Sequence, residues 1–187
     1  MLILLLACAP TVPDCGDNQH VTAAGECADD PEIPGAEDLP ACEPLAVDDR
    51  IEVYAGCADG ACSGFTYEQM VTALGEEGAC HGKANIAFCD WSVGIEANFT
   101  DEDGDSVPDE TAQALGIFLD DPYDGASENG LGLGVSLACW IDVYGYTDEV
   151  EYQDDDWITE LWWASIGLFV HDVDGDGVTD TVSLFGM

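Results

Sequence analysis

The chain has 187 residues, enough for one ordinary domain or two small ones in tandem. Apolar residues make up 47 % of it and there are five tryptophans, so it can bury a core, and global disorder is excluded. Forty Asp and Glu against two basic residues, Arg50 and Lys83, give a net charge of −38, which argues against nucleic acid and anionic lipid headgroups as partners.

Residues 1–8, MLILLLAC, are an apolar run ending in Leu-Leu-Ala-Cys. The run resembles the lipobox of bacterial lipoproteins. That resemblance implies cleavage before Cys8 and acylation of its thiol and new amino terminus. It places the chain in the cell envelope, as an outer-membrane or surface lipoprotein facing the periplasm or the exterior. No later apolar run approaches the length of a membrane-spanning helix, so contact with the membrane is expected through the lipid anchor only. Residues 9–50 read as an acidic tether with six of the eight prolines. Cys15, Cys27 and Cys42 punctuate it. With Cys8 set apart, the other eight of the nine cysteines can form four pairs, as expected in an oxidising compartment. Cys57-Ala-Asp-Gly-Ala-Cys62 can close on itself around its Asp-Gly turn.

The remainder is expected to be an α+β fold of two tandem units, 51–125 and 126–187. Each reads as a helix followed by a meander of three or four antiparallel strands. In the first, Thr66 caps a helix, Gln69 completes a capping box, and Tyr67, Met70, Val71 and Leu74 form the apolar face before Gly75. In the second, Ser136 is the cap, Leu137, Ile141 and Tyr144 form the face, and Gly145 is the stop. Alternation at Val93–Thr100 and Ile166–His171 predicts strands, with further strands at Asn85–Trp91 and Ile158–Trp163. Cys139 lies within the second helix with no counterpart in the first. It is expected to pin the tether through Cys42 or Cys15.

Each meander contains an acidic run, DEDGDSVPD at 101–109 and DVDGDGVTD at 172–180. Asp101, Asp103, Asp105 and Asp109 take positions 1, 3, 5 and 9 of the first run. Asp172, Asp174, Asp176 and Asp180 take the same places in the second. A hard cation such as Ca2+ takes six to eight oxygens at about 2.3–2.6 Å. Alternating carboxylates, with a backbone carbonyl from Val107 or Val178 at position 7, can supply them. The runs lie 71 residues apart and the helix caps 70 apart, a shared period that suggests duplication. Two Ca2+ ions would cancel only four charges, so the remaining acidity points to a saline or divalent-rich setting.

The order Gly64-Phe65-Thr66, helix, Leu74-Gly75, matched by Gly134-Val135-Ser136, helix, Tyr144-Gly145, resembles the β-lactamase-inhibitor-protein fold. It is also similar to small outer-membrane assembly lipoproteins. The likeness covers residues 63–187. It implies a Cys80–Cys89 disulfide and two sheets joined into one concave surface. The acidic loops are similar to the Ca2+ loops of FG-GAP repeats. The long tether and Asp-rich tips depart from the inhibitor family, so inhibition of a β-lactamase does not follow.

Trp162 and Trp163 are adjacent on a strand and point to opposite faces, which makes one of them a candidate protein contact. His20, His81 and His171 have no nucleophile at a recognisable spacing, so a non-catalytic protein is expected. The expected role is a Ca2+-stabilised module for an envelope or extracellular protein partner. An inhibitor or assembly factor without metal is the alternative, and a secreted hydrolase ranks third.

Overall fold

A computed structural model describes residues 19–21, 27–29, 33–83, 85–145, 147–153 and 157–186. Cys8 and Cys15 lie outside these. The chain divides into two compact units, 1–32 and 33–187. In the first, β1 (Gln19–Val21) pairs antiparallel with β2 (Cys27–Asp29), and Cys27 is disulfide-bonded.

The second unit is mostly β. A small antiparallel sheet is built from β3 (Ile51–Glu52), β4 (Cys57–Ala58) and β5 (Ala61–Cys62). The Cys57–Cys62 disulfide joins the register pair at its hairpin. Then come α1 (Tyr67–Leu74), β6 (Ala79–Gly82), β7 (Ile86–Trp91), β8 (Ile95–Thr100) and β9 (Ile117–Leu119). They are followed by α2 (Leu137–Tyr144), β10 (Glu149–Gln153), β11 (Trp157–Trp163), β12 (Leu168–His171) and β13 (Thr181–Leu184). The eight strands β6–β13 form one antiparallel sheet, in the order β6-β7-β8-β9-β13-β12-β11-β10. Each meander thus runs inward from an edge, and the two meet at the β9–β13 pair.

The register explains the core. Trp91, Ile95, Leu119, Val182, Val170 and Leu161 stand side by side across six strands. A second row, two residues along, is Cys89, Ala97, Ile117, Leu184, Leu168 and Trp163. All twelve are buried and belong to one core with Met70 of α1 and Leu137 and Trp140 of α2. Side chains alternate along a strand, so the residues between these rows face the other way. They are Asp90, Glu96, Phe118, Ser183, Phe169 and Trp162, and Phe88, one residue beyond the second row, faces the same way.

The helices start and stop as their sequences predict. Thr66 and Gln69 form a reciprocal capping box, and Gly75 ends α1 in the left-handed conformation. Ser136 caps α2 by accepting from the Ala138 N–H, and its own hydroxyl donates to Pro40 O at 2.6 Å.

That bond belongs to a strap. Residues 33–50, which composition assigns to the tether, are part of the compact unit. Cys42 is disulfide-bonded to Cys139 of α2, and the Leu45 N–H donates to Gly130 O. Cys139 occupies the place that Gln69 has in α1, where the capping box needs a polar side chain. The expected strand limits need correction at two points. Residues 164–166 form a turn of 3-10 helix before β12, and β8 begins at Ile95 after the Gly94 turn.

Opening the Cys42–Cys139 link, which closes a separation of 97 residues, frees the most chain. The double substitution Cys42→Ala/Cys139→Ala is expected to cost about 4.7 kcal/mol in the chain-entropy description, against about 2 kcal/mol for Cys57→Ala/Cys62→Ala. Urea unfolding of the two variants checks the order.

Candidate metal centre

Each acidic loop is built on its first carboxylate. Asp101 and Asp172 are almost fully buried, 1 % and 0 % exposed, and a buried carboxylate is costly unless donors surround it. Asp101 Oδ1 accepts from the N–H groups of Gly104 (2.8 Å) and Asp105 (3.2 Å), and its Oδ2 accepts from Ser106 (2.9 Å). Asp172 does the same with Gly175 (2.7 Å), Asp176 (3.3 Å) and Gly177 (2.7 Å). Position 5 then accepts from position 7. The Val107 N–H donates to Asp105 and the Val178 N–H to Asp176, both at 2.9 Å. Charge-assisted bonds of this kind wrap each loop around its first residue.

The wrapping demands left-handed backbone at positions 4 and 6. Gly104 and Gly175 supply the first, with φ of 74° and 79°. Gly177 and Ser106 supply the second, with φ of 80° and 69°. Serine at this place therefore adopts the turn that glycine takes in the other loop, held by its bond to Asp101.

Both loops bring positions 1, 3 and 5 together. One carboxylate oxygen from each of Asp101, Asp103 and Asp105 lies within 4.8 Å of the others, and the same holds for Asp172, Asp174 and Asp176. Asp109 and Asp180 do not join these groups; they accept from the position-2 amides of Glu102 (3.2 Å) and Val173 (2.7 Å). A carboxylate has about four acceptor sites, so Asp101 and Asp172, with three taken, retain capacity for a cation. Crowding of like charge raises the Asp174 carboxyl above the ordinary value, chiefly through Asp176, then through desolvation and Asp180. Arg50 is engaged with Asp48, Asp59 and Asp124, so it does not compensate either loop.

The loops differ in their surroundings. The second lies at the turn of a direct β12–β13 hairpin, with His171 opposite Thr181. Its exit is tied to α2: Trp140 Nε1 donates to Thr179 Oγ1, which donates to Val135 O, both at 2.8 Å. Sequence reading missed Thr179, whose signal was a hydroxyl at position 8 beside an apolar flank. The first loop makes a longer return and rejoins β8 where the Leu115 N–H donates to Asn98 O.

No protein-family model, no curated protein and no solved structure matches this chain. The functional reading therefore rests on geometry and chemistry.

Trp163 is buried in the core, whereas Trp162 lies on the opposite face, half-buried against Phe169 with ring centroids 4.2 Å apart. Phe169 in turn meets Phe185 at 5.0 Å, and Phe185 meets Phe118 at 5.8 Å. On the same face, Glu96 has its carboxyl pushed up to about 7, first by burial and then by Asp90 and Asp120, with His81 opposing.

Two predictions follow from this geometry. An added Cβ at Gly104 meets nothing within 4 Å, whereas at Gly177 it comes within 2.4 Å of Pro40 Cδ. Gly104→Ala is expected to cost about 1–2 kcal/mol from the left-handed backbone alone. Gly177→Ala should cost more, because the strap must also shift; urea unfolding measures both. Glu96 has a folded-state value above its ordinary 4.5, so its contribution to stability is full below pH 4.5 and is lost as pH rises through about 7. Under chelator, Glu96→Gln is expected to remove that part of the slope between the two pH values in thermal melts. Solvent screening keeps the effect modest.

Proposed function

We propose that this chain is an exported, lipid-anchored cell-envelope protein without catalytic activity. Its two acidic hairpin loops bind Ca2+, and the outer face of its large sheet meets a protein partner. The observation that carries the metal reading is the repetition of one hydrogen-bond scaffold at a 71-residue offset, each copy gathering three carboxylates. A polar turn has no need to gather charge twice in the same way. Ca2+ suits the site better than Mg2+, because it accepts irregular all-oxygen coordination.

The duplication belongs to this proposal too. Each half, 51–125 and 126–187, supplies a capped eight-residue helix and four strands of the large sheet, and the strand order of one half mirrors the other about β9–β13; the three-stranded sheet β3–β5 belongs to the first half alone. The arrangement is what a fused pair of helix-plus-meander units would produce. Lipidation at Cys8 rests on the lipobox alone. The protein-contact reading draws on the aromatic run Trp162, Phe169, Phe185 and Phe118. It also serves the second reading, an inhibitor or assembly factor that grips a partner on this sheet without metal.

Thermal melts with Ca2+ and with chelator separate the two. Extracellular modules bind Ca2+ at about 10⁻⁴–10⁻³ M, so Ca2+ at about 1 mM is roughly one to ten times the dissociation constant and adds about 0.4–1.4 kcal/mol per site. Millimolar Ca2+ is therefore expected to raise Tm by several degrees. Asp174→Asn should forfeit the share of the second loop in Ca2+. In chelator it should melt no lower than the parent, because it removes a repelling charge. A Tm indifferent to Ca2+ would leave the metal-free reading.

A further inference from the structure

We propose that His81, Asp90 and Glu96 bind one divalent transition-metal ion of the zinc class, at a site built from residues outside the acidic loops and different from them in chemistry. The three residues come from three successive strands, β6, β7 and β8. Cys80 pairs in register with Cys89 and is disulfide-bonded to it, and Cys89 is buried in the core. The flanking register pairs, His81 with Phe88 and Ala79 with Asp90, therefore face outward. His81 and Asp90 meet diagonally across the clamped pair, with Nδ1 3.4 Å from Asp90 Oδ2. Asp90 stands directly opposite Glu96. One ligand atom from each of the three lies within 4.8 Å of the others.

The donor set decides the class of ion. The loops offer oxygen alone, which suits hard cations. Here an imidazole nitrogen joins two carboxylates, the set that zinc and neighbouring divalent ions accept while a coordination position stays open to water. Two further features prepare the site. The Phe88 ring stacks on His81, with centroids 5.6 Å apart and planes 20° from parallel, and this orients the imidazole. Asn98, two residues from Glu96 on β8 and opposite Phe88, carries a buried Oδ1 with no hydrogen-bond partner. That acceptor stands on the same face of β8 as Glu96, and a metal-bound water donating to it is part of the proposal. His81 and Asp90 are both well exposed, so an ion reaches them from solvent.

The test titrates the full chain, stripped by chelator, with Zn2+ and with Co2+ as a visible probe. Millimolar Ca2+ is present throughout, to fill hard-cation sites and screen the surface. Calorimetry should find one saturable Zn2+ site, and Co2+ should give a matching absorbance change. His81→Ala and Glu96→Gln, each with an unchanged circular dichroism spectrum, should weaken binding at least about tenfold, since loss of even an outer-shell partner typically costs about 10–100-fold. The double variant Asp103→Asn/Asp174→Asn should bind Zn2+ as the parent does. Absence of saturable Zn2+ binding overturns the proposal, as does a His81→Ala chain that binds as tightly as the parent. Loss of binding in the loop variant also overturns it, by moving the ion to the loops. The site stands independently of Ca2+ in the loops, and either can fail alone.

Discussion

One buried carboxylate at the head of each acidic loop sets the loop's course. Asp101 and Asp172 are almost fully buried, and each is kept there by three backbone N–H groups from the residues that follow. Meeting that demand bends the chain through left-handed backbone at positions 4 and 6. The same bend carries the carboxylates at positions 3 and 5 back beside the first. Charge is gathered because the backbone must satisfy a buried anion, and the gathered charge is what the proposed cation would neutralise. Position 9 has a different part: its carboxylate accepts from the position-2 amide and so ties the exit of each loop to its entry.

The two loops occupy different neighbourhoods, and the strap is the reason. In the second half Pro40 lies against Gly177 and accepts a bond from Ser136, while Cys42 holds α2 through Cys139. In the first half the corresponding loop residue, Ser106, lies against Gly82 at the end of β6. One loop is thus covered by the strap, residues 33–50, and the other by a strand of its own meander. The same loop chemistry therefore has different support in the two halves.

Much of this was legible in the amino-acid pattern because it is local. Thr66 with Gln69, Ser136, Gly75 and Gly145 mark the helices by chemistry that acts within a few residues. The alternation of Ile95, Ala97 and Phe99 fixes which side of β8 is core. The parity of Trp162 and Trp163 foretold that one would join the core and the other the opposite face. What escaped is long-range. A joined sheet was expected from the resemblance alone; the pair that joins it, β9 with β13, depends on register between segments more than sixty residues apart, which no local pattern reveals. The strap looked like tether because its prolines and acids suit one; its attachment depends on Cys139, which left two partners open. The His81, Asp90 and Glu96 grouping was hidden because its members come from three strands at irregular spacing.

The account turns on two carboxylate-lined loops acting as matched Ca2+ sites. Equilibrium dialysis against Ca2+ in excess Mg2+ counts them directly, in the parent and in Asp103→Asn and Asp174→Asn. The account predicts two saturable Ca2+ ions per chain in the parent and one in each variant. Diffuse, non-saturable binding that neither substitution changes would contradict it.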